Sequence, residues 1–392
     1  MKIHLLQLEP LQERYSDWWQ DALPNGFASL GNQVTVVRGE PYEAVESGTV
    51  LDAFGTNIYK GVQLNKIAEE FRKGNIIKWD RIFVADAWFP GIEMIKYISD
   101  IARIPVKTYG VWHAGSITIE DFMAPSHSWA KYFELGFFKA FDGIFVGSEY
   151  SKRSVIERLL IPYLQDDYEI REMADKIFPI GLPMNFDHLD KINKLKLPKE
   201  KVVLFPSRFD LEKRPNVFMD MIECLVATGN MKNVTFRFCT GRKAIKTNAP
   251  WLETKLKFLM DRFPRNNPDG ITVDFKYNLT KEEYYTELAK AICMVSCTAD
   301  ETFGYCVAEA CALGTVPIVP KAFCYPEILD GHEEFMYSTF EELVERVGTY
   351  LKLWDENRFL EFVDRERDIL YGFVLPYKNT ISQWDKTMRG AI

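Results

Sequence analysis

Four charged side chains offer the clearest chemistry in this chain. Arg208 and Lys213 are cations five residues apart in LFPSRFDLEKRPN (204–216). Glu301 and Glu309 are acids on either side of a glycine-opened turn in VSCTADETFGYCVAE (295–309). Two cations between a buried strand and a helix N-terminus suit a diphosphate, because free N–H groups and the dipole there also favour an anion. Gly304 allows close backbone approach at the second turn, and the carboxylates are suited to gripping neutral hydroxyls. The combination points to a phosphorylated sugar. Each group also has a plainer reading: a solvated basic loop that includes Glu212 and Arg214, or a glutamate, Glu301, that caps the next helix. Glu309 sits among Ala308, Ala310 and Ala312, where a solvated glutamate is less expected.

The surrounding pattern alternates short β-rich runs with helical ones, as stacked βα units do. In the first half, strands are expected at 2–7, 33–39, 81–86, 106–113 and 143–148, with helices near 57–74, 90–101, 128–140 and 150–160. A looser stretch follows at 161–172, then KIFPIG (176–181). The lysine-rich segment 183–201 reads as a boundary. Beyond it come strands at 202–207, 234–240, 271–277, 291–297 and 315–320. Helices are expected at 215–229, ending at Gly229, and at 250–263, 281–290, 304–313 and 339–353. The tail after Pro376 looks helical, with apolar Ile381 and Trp384. Two βα domains follow, without the G-x-G-x-x-G fingerprint of a tightly held dinucleotide.

The 392 residues suffice for two domains, and 47% hydrophobic with 27% charged residues is ordinary for a soluble globular protein. A net charge of -8 gives no general attraction to nucleic acid or anionic lipid. The first residues, MKIHLLQLEP, are too short an apolar run for a signal peptide, and no stretch reaches the length of a membrane span. All seven cysteines lie in the second half without a C-x-x-C pair and read as buried, reduced thiols. A cytoplasmic protein is expected.

SRFDLEKRPN, followed by ETFGYCVAEACALGTVPIVPKAFCYPEIL (301–329), resembles the family-4 retaining glycosyltransferases of GT-B architecture. Their pattern is G-R-x-x-x-x-K-G, then E-G-F-G-x-x-x-x-E-A-x-A-x-G-x-P-V, then P-E-I. The resemblance is strong over 202–329 and weaker over 81–182, where WHAGS, FDGIFVGSEYSKRSVIERL and FPIGLPMNFD are similar to the family's histidine loop, serine-containing corner and linker turn. It implies an α/β fold of two Rossmann-like domains facing across a cleft. An acceptor-side domain would cover 1–185 and a nucleotide-sugar-binding domain 201–372, with a C-terminal helix in 373–392 crossing back to the first.

The resemblance also implies roles. Arg208 and Lys213 would bind the donor diphosphate and stabilise the departing nucleoside diphosphate. Glu301 would contact the transferred sugar, with the backbone N–H groups of Phe303 and Gly304 near sugar and phosphate. Glu309 would accept from the ribose hydroxyls, and His113 would meet the sugar near its reacting carbon. His113, Arg208, Lys213 and Glu301 form the implied catalytic set, with no cofactor, no metal, and a UDP- or GDP-sugar as donor. As residues alone, His113 also reads as a structural histidine, Glu327 as a helix start after Pro326, and Trp18–Trp19 as either sugar-stacking or core aromatics. The chain departs from the pattern at Ser207, Thr302 and Arg214, which stand for glycines. The first strand is followed by LEPLQERYSDWW (8–19) instead of a glycine-rich loop.

The expected activity is retaining, metal-independent transfer of a sugar to a saccharide, glycolipid or small molecule. A modified base in DNA is the alternative acceptor, for which the basic run at 242–265 is the only sequence support. A catalytically silent nucleotide-sugar binder is a further alternative, and an epimerase on the same scaffold a minor one. Lysines and arginines in 57–78 are interrupted by Glu69 and Glu70, so membrane contact is not supported.

Overall fold

The computed structural model describes residues 1–10, 15–40, 54–121, 123–228, 231–240, 244–245, 247–265, 267–268 and 270–390. The chain divides into two compact units: Met1–Pro183 with Asn379–Ile392, and Met184–Lys378.

The first unit carries six strands: β1 (Lys2–Leu6), β2 (Gln33–Val37), β3 (Arg81–Val84), β4 (Lys107–Trp112), β5 (Gly143–Val146) and β6 (Ile177–Phe178). They form one sheet in the order β2-β1-β3-β4-β5-β6, and every neighbouring pair is parallel. Strands such as β5, GIFV, are apolar on both faces because helices cover both sides of a parallel sheet. Those helices are α1 (Tyr15–Ser29), α2 (Gly55–Lys73), α3 (Ile92–Ile101), α4 (His127–Ala140), α5 (Glu149–Val155), α6 (Ile161–Tyr163) and α7 (Asp167–Asp175). Gly74 ends α2 in the left-handed conformation, with φ +75°. Within 161–172, expected to be loose, Asp166 caps α7 through the Tyr168 N–H, a turn signal hidden among charged neighbours.

The second unit opens on α8 (Phe186–Lys194), then β7 (Glu200–Phe205), α9 (Pro215–Ala227), β8 (Thr235–Cys239), α10 (Pro250–Arg262), β9 (Thr272–Lys276), α11 (Lys281–Lys290) and β10 (Ala291–Val295). It closes with α12 (Tyr305–Ala312), β11 (Val316–Pro320), α13 (Tyr325–Ile328), β12 (Met336–Tyr337), α14 (Phe340–Asp355) and α15 (Phe359–Val374). The segment 183–201 is therefore more than a linker. Asn185 caps α8 through the His188 N–H, and Phe186, Leu189 and Ile192 bury one helical face. The expected end of α9 at Gly229 lies outside the described residues.

The second sheet runs β12-β11-β10-β7-β8-β9, all parallel. Chain order reverses between β7 and β10, which pair directly through Cys293 with Val203 and Met294 with Leu204. At such a switch point neighbouring loops diverge and leave a crevice beyond the strands' carboxyl ends. The two chemically interesting loops follow these two strands.

The last helix, α16 (Thr380–Met388), belongs to the first unit. Trp384 is fully buried there, with its ring 5.3 Å from Phe145, 5.5 Å from Phe83 and 6.1 Å from Trp19. Asp385 accepts from Asn32 Nδ2 at 2.6 Å and Arg389 Nε at 2.7 Å, pinning the helix end. Trp384→Ala is expected to destabilise the first unit by about 3–5 kcal/mol, as truncation of a large core aromatic does. A lowered protection of β3 and β5 amides in hydrogen exchange is the measurement. Unchanged protection would place this helix outside the core.

Candidate functional site

The loop after β7 runs from Pro206 to Arg214 and holds a single tight turn at Leu211–Lys213. The Lys213 N–H bonds the Asp210 carbonyl at 3.0 Å, and the Arg214 N–H bonds the Leu211 carbonyl at 2.9 Å. Arg214 then adopts φ +49°, and Pro215 starts α9 where its missing N–H costs nothing. The loop after β10 is tied to this turn by main chain: the Glu212 carbonyl accepts from the Ala299 N–H at 2.8 Å and from Thr298 Oγ1 at 3.3 Å. Neighbouring strands thus carry neighbouring loops, and the side chains meet.

Lys213 Nζ lies 3.0 Å from Glu301 Oε2 and 3.9 Å from Glu212 Oε1. Arg208 donates to Glu212 Oε1 and stands 3.5 Å from Asp210 Oδ2. Arg208, Lys213 and Glu301 are therefore one network, with Glu212 bridging the two cations. Burial alone would push the Lys213 ammonium down, but Glu301 and Glu212 outweigh it and hold its pKa above the usual range. Burial likewise pushes Glu301 up. Lys213 and the N–H groups of Gly304 and Thr302 overcome this and hold the carboxyl below its ordinary value. Both groups are charged at neutral pH.

Gly304 sits at φ +69° immediately before α12. A Cβ there would stand 2.9 Å from Tyr325 Cε1, and Tyr325 is fixed by a 2.8 Å bond between its hydroxyl and Ser296 Oγ. Conformation and space both call for glycine. Phe303 is buried, with its ring 4.8 Å from Tyr305 and 4.9 Å from Tyr377. Only its backbone is suited to meeting a ligand.

Glu309 lies within α12, 5% exposed, in a second cluster. Its Oε1 accepts from the Tyr285 hydroxyl at 2.8 Å and from Lys281 Nζ at 3.2 Å. Lys281 also lies 5.0 and 5.1 Å from the rings of Tyr284 and Tyr285. Glu309 is thus a held carboxylate with an anchored orientation, not a solvated one. Lys281 and Tyr285 were missed in the sequence, although their i,i+4 spacing on α11 is the signal that one helix face presents both. Glu212 was passed over as loop charge.

His113 belongs to the first unit, just past β4. Its Nε2 donates to the Ala85 carbonyl at 2.9 Å, and the rings of Tyr15 and Trp19 lie 5.1 and 5.4 Å away. Burial holds its pKa below the usual histidine value, so the imidazole is neutral at pH 7. Trp19 is fully buried core, whereas Trp18 is half-buried; of the pair, only Trp18 is open to a sugar. Glu327 lies on the four-residue helix α13. The seven cysteines are free thiols, but Cys224 is exposed and Cys306 partly so, against the expectation that all are buried. Arg242, Lys243 and Lys246 of the basic run lie outside the described residues. Among the described residues, no group of three or more histidine, cysteine or acidic side chains is placed to hold a metal ion, and no helix is long and apolar enough to cross a membrane.

Two parallel, Rossmann-like α/β units with a C-terminal helix returning to the first define the GT-B fold. No known family profile matches the chain. Solved structures do. Sucrose-phosphate synthase from Thermosynechococcus elongatus is similar over 100% of this chain and 98% of its own, with TM-score 0.67 and 14% identity. Anabaena HepE, solved in complex with UDP-glucose, matches over 99% of this chain and 100% of its own, with TM-score 0.63 and 14% identity. The N-terminal domain of Candida albicans trehalose-6-phosphate phosphatase matches over 100% of this chain and 96% of its own, with TM-score 0.63 and 10% identity. At these identities the likeness is one of fold.

The Lys213–Glu301 pair has a pH signature. The lowered Glu301 value contributes stability that is present above the ordinary carboxylate range and is lost as pH falls through the folded-state value. The raised Lys213 value contributes stability below the ordinary lysine range that is lost as pH rises through its folded-state value. Lys213→Ala should therefore lower the melting temperature at pH 7, and the gap to the parent should close as pH falls below the ordinary carboxylate range and Glu301 protonates. An equal gap in both conditions would show that the pair is not ionised in the folded state.

Proposed function

We propose that this chain is a retaining glycosyltransferase that takes its sugar from a nucleotide-sugar donor without a metal ion. The observation that carries the reading is the Arg208–Glu212–Lys213–Glu301 network at the switch point of the second sheet. Partly buried cations beyond the carboxyl ends of parallel strands are suited to a diphosphate. The HepE complex with UDP-glucose supports the choice of donor, since that protein shares the fold over its full length.

In the proposed reaction the bond between the anomeric carbon and the diphosphate oxygen breaks, and its electron pair leaves with the nucleoside diphosphate. Arg208 and Lys213 neutralise that growing charge, the work a divalent ion would otherwise do. Arg208 exchanges its Glu212 partner for phosphate oxygen as the donor arrives. Glu301 turns its carboxylate to the sugar hydroxyls, and Glu309, oriented by Tyr285 and Lys281, accepts from the ribose. The acceptor hydroxyl attacks from the face the phosphate leaves and gives its proton to a departing phosphate oxygen, which retains configuration. His113, neutral, is assigned to the sugar near its reacting carbon. A saccharide, glycolipid or small-molecule hydroxyl is the acceptor in this reading.

Calorimetry with UDP and GDP tests the donor site. Lys213→Ala should cost about 1.5–3 kcal/mol of diphosphate binding, roughly a 10- to 150-fold weaker Kd. Unchanged affinity would remove Lys213 from the phosphate site. Once a donor is identified by its thermal shift, its slow hydrolysis should continue undiminished in excess EDTA. Loss of turnover restored by a divalent cation would overturn the metal-free reaction.

A further inference from the structure

In the first unit, α3 and α4 bury one face each and leave a second apolar face outside. On α3 the inner stripe is Ile92, Ile95 and Ser99, while Met94, Tyr97 and Ile101 recur at i, i+3 and i+7 on the opposite side. On α4 the inner stripe includes Ala130, Phe137 and Phe138, while Trp129, Tyr132 and Phe133 share the outer side. These six outer side chains are between 49% and 69% exposed. The helices are packed neighbours: a Cβ on Gly136 of α4 would lie 3.5 Å from Glu93 Oε1 of α3. Trp129 and Phe133 already meet edge to face, with centroids 5.7 Å apart. A helix that serves only its own core needs one apolar stripe, and a second contiguous one marks a contact surface.

We propose that this face joins two copies of the chain about a two-fold axis. Area is the first argument. Aromatic side chains expose about 150–250 Å² when free, so four of them half-exposed, with Met94 and Ile101, present roughly 600 Å² per copy. A self-contact would bury about 1,200 Å² in total, the lower bound of a standard specific interface. Charge is the second. Lys96 and Asp100 form a 2.8 Å ion pair and lie symmetrically about Ile98 along α3. In a two-fold contact residue i meets j while j meets i, so antiparallel α3 helices crossing at Ile98 bring each Lys96 to the partner's Asp100.

The neighbouring cations argue against a lipid surface or nucleic acid. Lys96 is paired with Asp100, Lys139 with Glu169, and Lys131 Nζ lies over the Tyr163 ring at 4.3 Å. These lysines are engaged within the unit rather than arrayed for phosphates. Tyr, Trp, Phe and Met are the types enriched at the cores of protein interfaces. The proposal is independent of the donor site.

Light scattering after gel filtration of the full chain should give twice the chain mass at about 10 µM, a concentration at which a standard-size contact is populated. Tyr132→Glu combined with Phe133→Glu should give the single-chain mass with an unchanged far-ultraviolet circular dichroism spectrum, both positions being exposed. Tyr97→Cys in a Cys224→Ser background should cross-link to itself under mild oxidation, while Cys224→Ser alone should not. A parent protein of single-chain mass at this concentration would overturn the proposal. So would a dimer that survives the double glutamate variant, or a single-chain species that instead floats with phosphatidylcholine–phosphatidylglycerol vesicles.

Discussion

The site loops of the second unit are joined through the Glu212 carbonyl, which accepts from the Ala299 N–H at 2.8 Å and from Thr298 Oγ1 at 3.3 Å. It joins the loops of two strands far apart in sequence but adjacent at the sheet's reversal. Glu212 and Lys213 ride on one loop and Glu301 on the other, and this bond sets the two in register. With it, a side-chain ion pair forms at the edge of a main-chain lock. A backbone bond is the right device here because it does not change when a ligand takes over the side chains.

The side-chain charges then carry an internal balance. Two cations, Arg208 and Lys213, face three carboxylates, Asp210, Glu212 and Glu301. Like charges held close repel in a partly buried site, and unpaired cations would pay a desolvation penalty. Glu212, shared between both cations, removes that repulsion while the site is without ligand. In the proposed reaction, binding a diphosphate is then an exchange of partners rather than a capture of free charge. This softens affinity but leaves the cations already oriented, which favours electrostatic stabilisation of a developing anion.

The meeting of Arg208, Lys213 and Glu301 beside the turn at Gly304 was legible in the sequence because each signal is local: a cation spacing, an acidic turn, a glycine before an alanine-rich helix. The alternation of strands and helices was legible too, since parallel strands are apolar on both faces and short. Strand order was not, because nothing in a strand's own residues records which neighbour it takes. Nor was α8, whose Phe186, Leu189 and Ile192 are diluted by aspartate and lysine into a segment that reads as linker. Glu212 looked like solvent charge because its neighbours Thr298 and Ala299 come from the loop after β10, three βα units further along the chain. Trp19 and Trp18 are adjacent letters with opposite fates, separated only by the helix turning α1 toward Trp384.

The end of β1 shows how the first unit manages without a glycine-rich loop. There the backbone is held by side chains: Gln20 Nε2 donates to the Leu8 carbonyl at 2.7 Å, Gln7 Nε2 to the Gln20 carbonyl at 3.0 Å, and Gln63 Nε2 to the Gln7 carbonyl at 2.8 Å. Tyr59 adds a 3.3 Å bond to Leu8 from α2. A glycine-rich turn offers bare N–H groups and room; this arrangement offers bulky amides whose donors are already spent on carbonyls. In the proposed reading, recognition of the donor anion rests on the second unit, where Arg208, Lys213 and the turn at Gly304 supply positive charge and N–H groups together.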